Sequence, residues 1–277
     1  MSQGLRRAFV TRARALKVAI GDPPWQPGGH FYSPIPSVAD TRRALESRGL
    51  WVGVDLADEA QRALIDQLLP RFAEFDRVEG GRWRPNSMFG RDDAAVYWSL
   101  LHHLQPSRIV EIGSGFSTAV ALDYGDLNGS VDVTAIEPYP ERLFGLLRSG
   151  DEVHLIQKEA QDVPIEALVS GDILFIDSSH VAKAGSDVMW LLFDVLPQVP
   201  VGAWVHFHDV FWPRGYPDAW LTQRRAWNEA YMLRAFLMWN TSFRVRLFNS
   251  WLLQNHPPFG EACSGAPGSV WLQRVGE

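Results

Sequence analysis

The stretch Arg108-Ile109-Val110-Glu111-Ile112-Gly113-Ser114-Gly115-Phe116-Ser117-Thr118 constrains this chain more than any other. A short β-branched run stops at two glycines flanking one residue, and the helix-prone Ala119-Val120-Ala121-Leu122 follows. That order is the sequence form of a strand turning sharply into a helix over a ligand. Gly113 and Gly115 lack the Cβ atoms that would keep a small molecule off the backbone, and they permit φ > 0 in the turn. Ser117 or Thr118 can cap the helix that follows.

The edges of the loop separate two kinds of ligand. A dinucleotide fingerprint has a third glycine three positions after the second, where Thr118 stands here, and its helix faces a pyrophosphate. Glu111 at the mouth of the loop would repel a pyrophosphate and suits a ligand carrying an ammonium group. Here the sequence resembles the class I S-adenosylmethionine-dependent methyltransferases, whose first motif, acid-x-Gly-x-Gly, is matched by Glu111-Ile112-Gly113-Ser114-Gly115. The resemblance implies S-adenosylmethionine as cofactor, held by Glu111, Gly113, Ser114, Gly115, Ser117 and Thr118. The competing reading of the same residues is a tight turn with no ligand.

Composition fits an enzyme of this kind. A chain of 277 residues with 46% hydrophobic residues can bury a full core, and its length suits one large α/β domain with an appendage. The formal charge of -6 argues against a nucleic-acid partner, which needs a net basic face. The single Cys263 leaves no intrachain disulfide and no multi-cysteine zinc site, so a cytoplasmic location is expected. No apolar run is long enough to span a bilayer.

Ahead of the loop, residues 5 to 20 read as a basic amphipathic helix, with Arg6, Arg7, Arg12, Arg14 and Lys17 against Leu5, Phe9, Ala13, Leu16 and Ile20. Packing on the domain or on a second copy of the chain is the expected use, a membrane surface the other. The Pro/Gly-rich segment from Gly21 to Gly29 reads as linker or ordered coil. A helix from about Ala57 to Phe75 is interrupted near Pro70. Residues 1–84 are thus read as a helical and Pro/Gly-rich extension, and 85–277 as the methyltransferase domain. At its start, Asn86 and Phe89 lie in a polar turn before an amphipathic helix through Val96, Leu100, Leu101 and Leu104. The resemblance implies that this segment covers the cofactor, with Phe89 against it and Asn86 near the acceptor. A capped helix start with Phe89 as a hydrophobic staple is the other reading.

From Arg108 strands and helices alternate, the signature of a parallel sheet wound with helices. The expected strands are 108–112, 131–136, 152–157, 172–176, 202–207, 243–248 and 269–274. This is the count of the Rossmann-like seven-stranded methyltransferase sheet, with helices on both faces and its last strand antiparallel. Ligands of such sheets bind beyond the carboxyl ends of the strands. Glu137, about 20 residues beyond the loop, is placed to accept hydrogen bonds from ribose hydroxyls. Asp162, after the third strand, is placed near the adenine edge.

The fourth and fifth strand ends carry Asp177-Ser178-Ser179-His180 and His206-Phe207-His208-Asp209. Adjacent ends bring Asp177, His180, His208 and Asp209 together, and Asp177, His208 and Asp209 are a candidate set for a divalent metal. This pattern resembles a narrower group of bacterial small-molecule methyltransferases related to the macrolide-sugar O-methyltransferases and the cephalosporin-hydroxylase-like proteins. That group carries Asp-x-x-His after the fourth strand and an acidic pair after the fifth, which together imply a magnesium site with the histidine as base. His208 departs from the acidic pair and admits manganese, iron or no metal. A base near neutrality such as His180, with Asp177 beside it, would take the proton of an acceptor hydroxyl as the bond to the methyl forms. His206 is expected to face the core. Trp212 and Tyr216, in an aromatic and proline-rich loop after the fifth strand, are candidate contacts to a small-molecule acceptor. Other classes fit less well: a nicotinamide oxidoreductase would carry a third glycine where Thr118 stands and a catalytic tyrosine-lysine pattern, and a noncatalytic or hydroxylase-like relative would keep only the cofactor fold.

Overall fold

The computed structural model describes residues 25–49 and 51–276. The basic helix expected over residues 5–20 lies outside them. The described residues form two compact units, one of 25–47 with 218–226 and one of 48–217 with 227–276. In the first, α1 (Val38–Glu46) starts at Ser37, whose hydroxyl accepts the Asp40 N–H at 3.1 Å while the Asp40 carboxylate accepts the Ser37 N–H at 2.9 Å. This reciprocal cap satisfies donors that a helix start leaves open.

The second unit holds the sheet. It opens with α2 (Asp58–Leu68), which passes through a 3-10 turn at Leu69–Arg71 into a last helical turn, Phe72–Phe75. Pro70 causes that break, because it has no N–H to give to the helix. Residues 58–75, read from sequence as extension, pack within the sheet unit: Ile65, Leu68, Phe72 and Phe75 are buried, and the Gln61 side chain accepts the Phe248 N–H at 2.6 Å.

Helix α3 (Arg91–Leu104) leads into β1 (Arg108–Ile112), and α4 (Phe116–Asn128) follows the glycine turn. The remaining strands are β2 (Asp132–Ile136), β3 (His154–Ile156), β4 (Ile173–Ile176) and β5 (Trp204–His208), then β6 (Phe243–Phe248) and β7 (Ser269–Arg274). Helix α5 (Glu229–Leu237) precedes β6, and α6 (Asn249–Asn255) follows it. The strand order is β3-β2-β1-β4-β5-β7-β6, with β1 to β5 parallel and β7 antiparallel to both its neighbours. β4 is buried at every residue because helices cover both faces of a parallel sheet, which explains the unbroken apolar run Ile-Leu-Phe-Ile. His206 breaks the same pattern in β5. It lies fully buried, stacked on Phe175 at 3.7 Å between ring centroids, and burial pushes its pKa well below the usual value. A neutral imidazole packed as an aromatic ring is its role.

Order reverses between β1 and β4, so their carboxyl ends open a crevice. The ladder continues past the strand ends: the Gly113 N–H reaches the Ile136 carbonyl at 3.0 Å and the Asp177 N–H the Ile112 carbonyl at 2.8 Å. Those bonds fix the residues just beyond the strands. On the opposite side, buried Arg82 ties the segment before α3 to α4 and to the turn at Asp151 through Asp123, Asp126 and Asp151. Among the described residues no helix is long and apolar enough to cross a membrane.

Candidate active site

The glycine turn is closed by its neighbours. Gly113 has φ +81°, and a Cβ there would collide with the Asp177 carbonyl oxygen. Gly115 has φ +150°, and a Cβ would lie 2.9 Å from the Arg142 side chain. Gly113 therefore needs glycine on conformation and on space, and Gly115 on conformation, since the arginine side chain can move aside. Helix α4 begins at Phe116, so Ser117 and Thr118 stand inside its first turn rather than before it. Thr118 instead reaches back, its hydroxyl oxygen accepting the Gly115 N–H at 3.0 Å and its O–H donating to Glu111.

Glu111 is almost wholly buried at the end of β1, and one carboxylate oxygen has no partner. Burial pushes its pKa up to about 8, against the hydrogen bonds of Ser117 and Thr118 and with the help of the Asp177 and Glu137 charges. The Ser114 hydroxyl is buried and unpartnered as well. Two orphaned oxygens beside a bare turn fit a donor-rich cationic group such as an amino-acid ammonium. Glu137 completes the turn, accepting the Ser114 N–H at 3.2 Å and the Tyr139 N–H at 2.8 Å. Each of its oxygens keeps a lone pair for a ribose hydroxyl. A cleft of about 430 Å³ runs along Gly113, Glu137, Ala160, Gln161, Asp177 and Ser178. Its wall after β3 is made by Ala160 and Gln161, whereas Asp162 is exposed on the same turn and does not line it.

At the ends of β4 and β5 the acids and the histidine meet. The His180 Nε2 lies 3.4 Å from Asp177 and 3.6 Å from Asp209, and its Nδ1 lies 2.9 Å from the buried Glu229. Burial opposes a charge on this ring, yet hydrogen bonds to Asp177 and Glu229 and the charges of both raise its pKa to about 10. The near-neutral base expected from sequence is thus an imidazolium at neutral pH. Desolvation likewise opposes the Asp177 charge, but His180, His208 and Arg142 hold its pKa below the usual value. Asp209 goes the other way: burial raises it, His208 and His180 resist, and Asp177 and Asp93 add to the rise. His180 and Asp209 also adopt left-handed backbones, φ +59° and +57°, which non-glycine residues take up only where their surroundings enforce it.

The candidate metal set does not converge. His208 Nε2 faces the Met88 carbonyl at 3.1 Å, with Asp209 3.6 Å away, and its Nδ1 faces the Ser269 hydroxyl at 3.3 Å, so both ring nitrogens already have partners. The Nε2 of His180 lies between Asp177 and Asp209, where a shared cation would sit. Among the described residues no group of three or more His, Cys, Asp or Glu side chains is disposed to hold a metal ion. Asp177, His208 and Asp209 therefore do not fit a metal as they stand.

Other expected contacts also lie elsewhere. Phe89 is buried against Tyr97, Phe175 and His208, in the staple-like position rather than on the cleft. Asn86 spends its carboxamide oxygen on the Met88 and Phe89 N–H groups of its own turn, at 2.9 and 2.7 Å. Trp212 packs with Trp51 and Phe248, and the Tyr216 hydroxyl accepts the Ala230 N–H at 3.0 Å within a buried setting. Aromatic loops near a site are often its support. Glu229 is the residue that sequence reasoning missed. An acid in the first turn of a helix reads as a dipole partner, and nothing local points it at a histidine 49 residues earlier.

A mixed sheet of this order, with an acid-x-Gly-x-Gly turn after its first strand and an acid after its second, is the frame of a Rossmann-like methyltransferase. A family model described as "Methyltransferase domain" matches residues 110–210. An "Uncharacterized protein" of Archaeoglobus fulgidus is 34% identical over 184 residues, which cover 60% of this chain and 81% of that protein. The chain belongs to the class I S-adenosylmethionine-dependent methyltransferases. Among solved structures it is similar to an SAH-bound methyltransferase of Podospora anserina, with 16% identity, a TM-score of 0.45 and coverage of 76% of this chain and 88% of that one. It is also similar to the plantazolicin methyltransferase BpumL in complex with SAH, with 10% identity, a TM-score of 0.46 and coverage of 80% and 99%. At these TM-scores neither likeness adds to what the topology shows.

Proposed function

We propose that this protein methylates a hydroxyl of a small molecule at the junction of β1, β4 and β5. The observation that carries the reading is the contact between the Gly113 turn and Asp177, which sets the cofactor loop directly against the Asp177–His180–Asp209 cluster. S-adenosylmethionine supplies, when bound, a methyl group on a cationic sulfur, open to a nucleophile. Glu111 and Ser114 hold its ammonium end, Glu137 its ribose, and Ala160 and Gln161 the wall beside its base. The three acids around His180 leave the acceptor side of the cleft net negative. His180, already protonated, holds the Asp177 and Asp209 carboxylates by its charge, 3.4 and 3.6 Å from Nε2. Asp209, its pKa raised by burial, takes the acceptor's proton as the oxygen attacks. Alignment of oxygen, methyl and sulfur supplies the remainder.

Calorimetric titration with S-adenosylhomocysteine, run beside NAD, tests the cofactor half: the homocysteine compound binds and NAD does not. For the chemistry, transfer of labelled methyl to a panel of alcohols, sugars and phenols is followed in the wild type, His180→Ala and Asp209→Asn. Each substitution is expected to lower kcat by about 10²–10⁴-fold while S-adenosylhomocysteine affinity stays within about twofold. Full activity in both variants would overturn this assignment of roles.

A further inference from the structure

Glu229 opens helix α5 and is buried, yet both its carboxylate oxygens are occupied by one short segment after β4. One oxygen faces His180 Nδ1 at 2.9 Å and the other accepts the Ser178 O–H at 2.7 Å. The Ser178 hydroxyl oxygen in turn accepts the His180 N–H at 3.0 Å. The backbone closes the arrangement from the other side, with the Asn228 and Glu229 N–H groups donating to the His180 carbonyl at 3.0 and 3.2 Å. The ring of Trp227 lies 4.5 Å from the imidazole, centroid to centroid. His180 is thereby held at its side chain, its N–H and its carbonyl, in a left-handed conformation it would not adopt alone.

A carboxylate can only accept, so Nδ1 must carry the proton that lies toward Glu229. That fixes which nitrogen faces the reaction. We propose that Glu229 is the positioning residue of His180, an inference that rests on the methyl-transfer reading: its carboxylate keeps Nδ1 protonated and turned inward, and so presents Nε2 to Asp177 and Asp209 beside the cofactor loop. Glu229 does not line the cofactor cleft, and its action passes through the imidazole. Loss of its charge frees the ring to rotate, which misaligns Asp177 and Asp209 without touching the cofactor site.

Two measurements test this. In Glu229→Gln, kcat is expected to fall by about tenfold to a hundredfold, with KM for S-adenosylmethionine and affinity for S-adenosylhomocysteine unchanged within about twofold. Glu229→Asp, which keeps the charge at a longer reach, recovers part of kcat. A purely structural role would lower folded protein and cofactor affinity together and give no such split. The second measurement uses the wild type alone: in protein labelled with nitrogen-15 histidine, the His180 Nδ1–H signal is expected to be protected from solvent exchange. An unprotected Nδ1–H, or a Glu229→Gln variant with wild-type kcat, overturns the proposal. A wild type that binds no S-adenosylhomocysteine overturns the methyl-transfer reading instead, and the exchange measurement still decides the Glu229 contact.

Discussion

Arg82→Met is expected to lower the free energy of unfolding by about 3–5 kcal/mol, read from urea denaturation at pH 7. The Arg82 side chain is 4% exposed, and two of its three partners, Asp123 and Asp151, are each 6% exposed. Methionine of similar length fills the space but leaves Asp123 buried without the Arg82 charge and Asp151 with that of Arg148 alone. Asp126 is 55% exposed and adds little, since a solvated ion pair is worth a fraction of a buried one. The Arg82 hydrogen bond holds the Asp151 pKa below the usual 3.8, so the stabilisation is present above that value and is lost as pH falls through the lowered one. The gap between wild type and variant therefore narrows in acid. Arg82→Lys recovers only part of the loss, because an ammonium cannot serve three acids in the plane of a guanidinium. A change below about 1 kcal/mol would show that the knot is not what pins the segment before α3.

Glu111→Gln has the second large effect, and it reverses sign with the property measured. The carboxyl of Glu111 has a pKa near 8 in the folded chain against 4.5 unfolded, so the native state prefers the protonated form. Stability from this group is whole below pH 4.5, declines as pH rises and is lost above about 8, by an amount on the order of 5 kcal/mol. Glutamine has the same shape, accepts the Thr118 O–H and never ionises. The variant is therefore expected to match the wild type at pH 4.5 and to exceed it by several kcal/mol at pH 8.5, in the absence of ligand. Binding moves the other way: S-adenosylhomocysteine affinity falls, since the ammonium loses its counter-charge. In the wild type, ionisation of Glu111 on binding releases a proton near pH 7, so affinity rises between pH 6 and 8. Calorimetry in buffers of different ionisation heat reads that proton directly. Parallel stability curves for the two proteins would show that Glu111 is ionised before any ligand arrives.

Much of the fold could be read before any coordinates, for local reasons. β6 and β7 have the bounds their alternation and turn residues imply, and β1 to β5 follow from apolar runs that stop at polar residues. β3 is shorter than expected, three residues at a sheet edge with β2 as its one neighbour. The break in the helix over 57–75 follows from Pro70 alone. Which unit that helix joins did not follow, because an apolar stripe says that a face is covered and not by what.

The sequence by itself determined where chemistry can happen: a glycine turn with an acid before it, and polar residues just past β4 and β5. Strand pattern and turn chemistry act over a few residues, and in a parallel sheet the ends of strands converge whatever the loops do. Only the tertiary structure decided what those residues are when they meet. Phe89 turned into the core, His208 gave its ring nitrogens to Met88 and Ser269, and His180 gained Glu229 from a helix far along the chain. Charge state depends on burial and on neighbours within a few ångströms, and neither is a property of a stretch of sequence. An imidazole that looks like a neutral base in the one-dimensional chain is for that reason a cation between three carboxylates in the folded one.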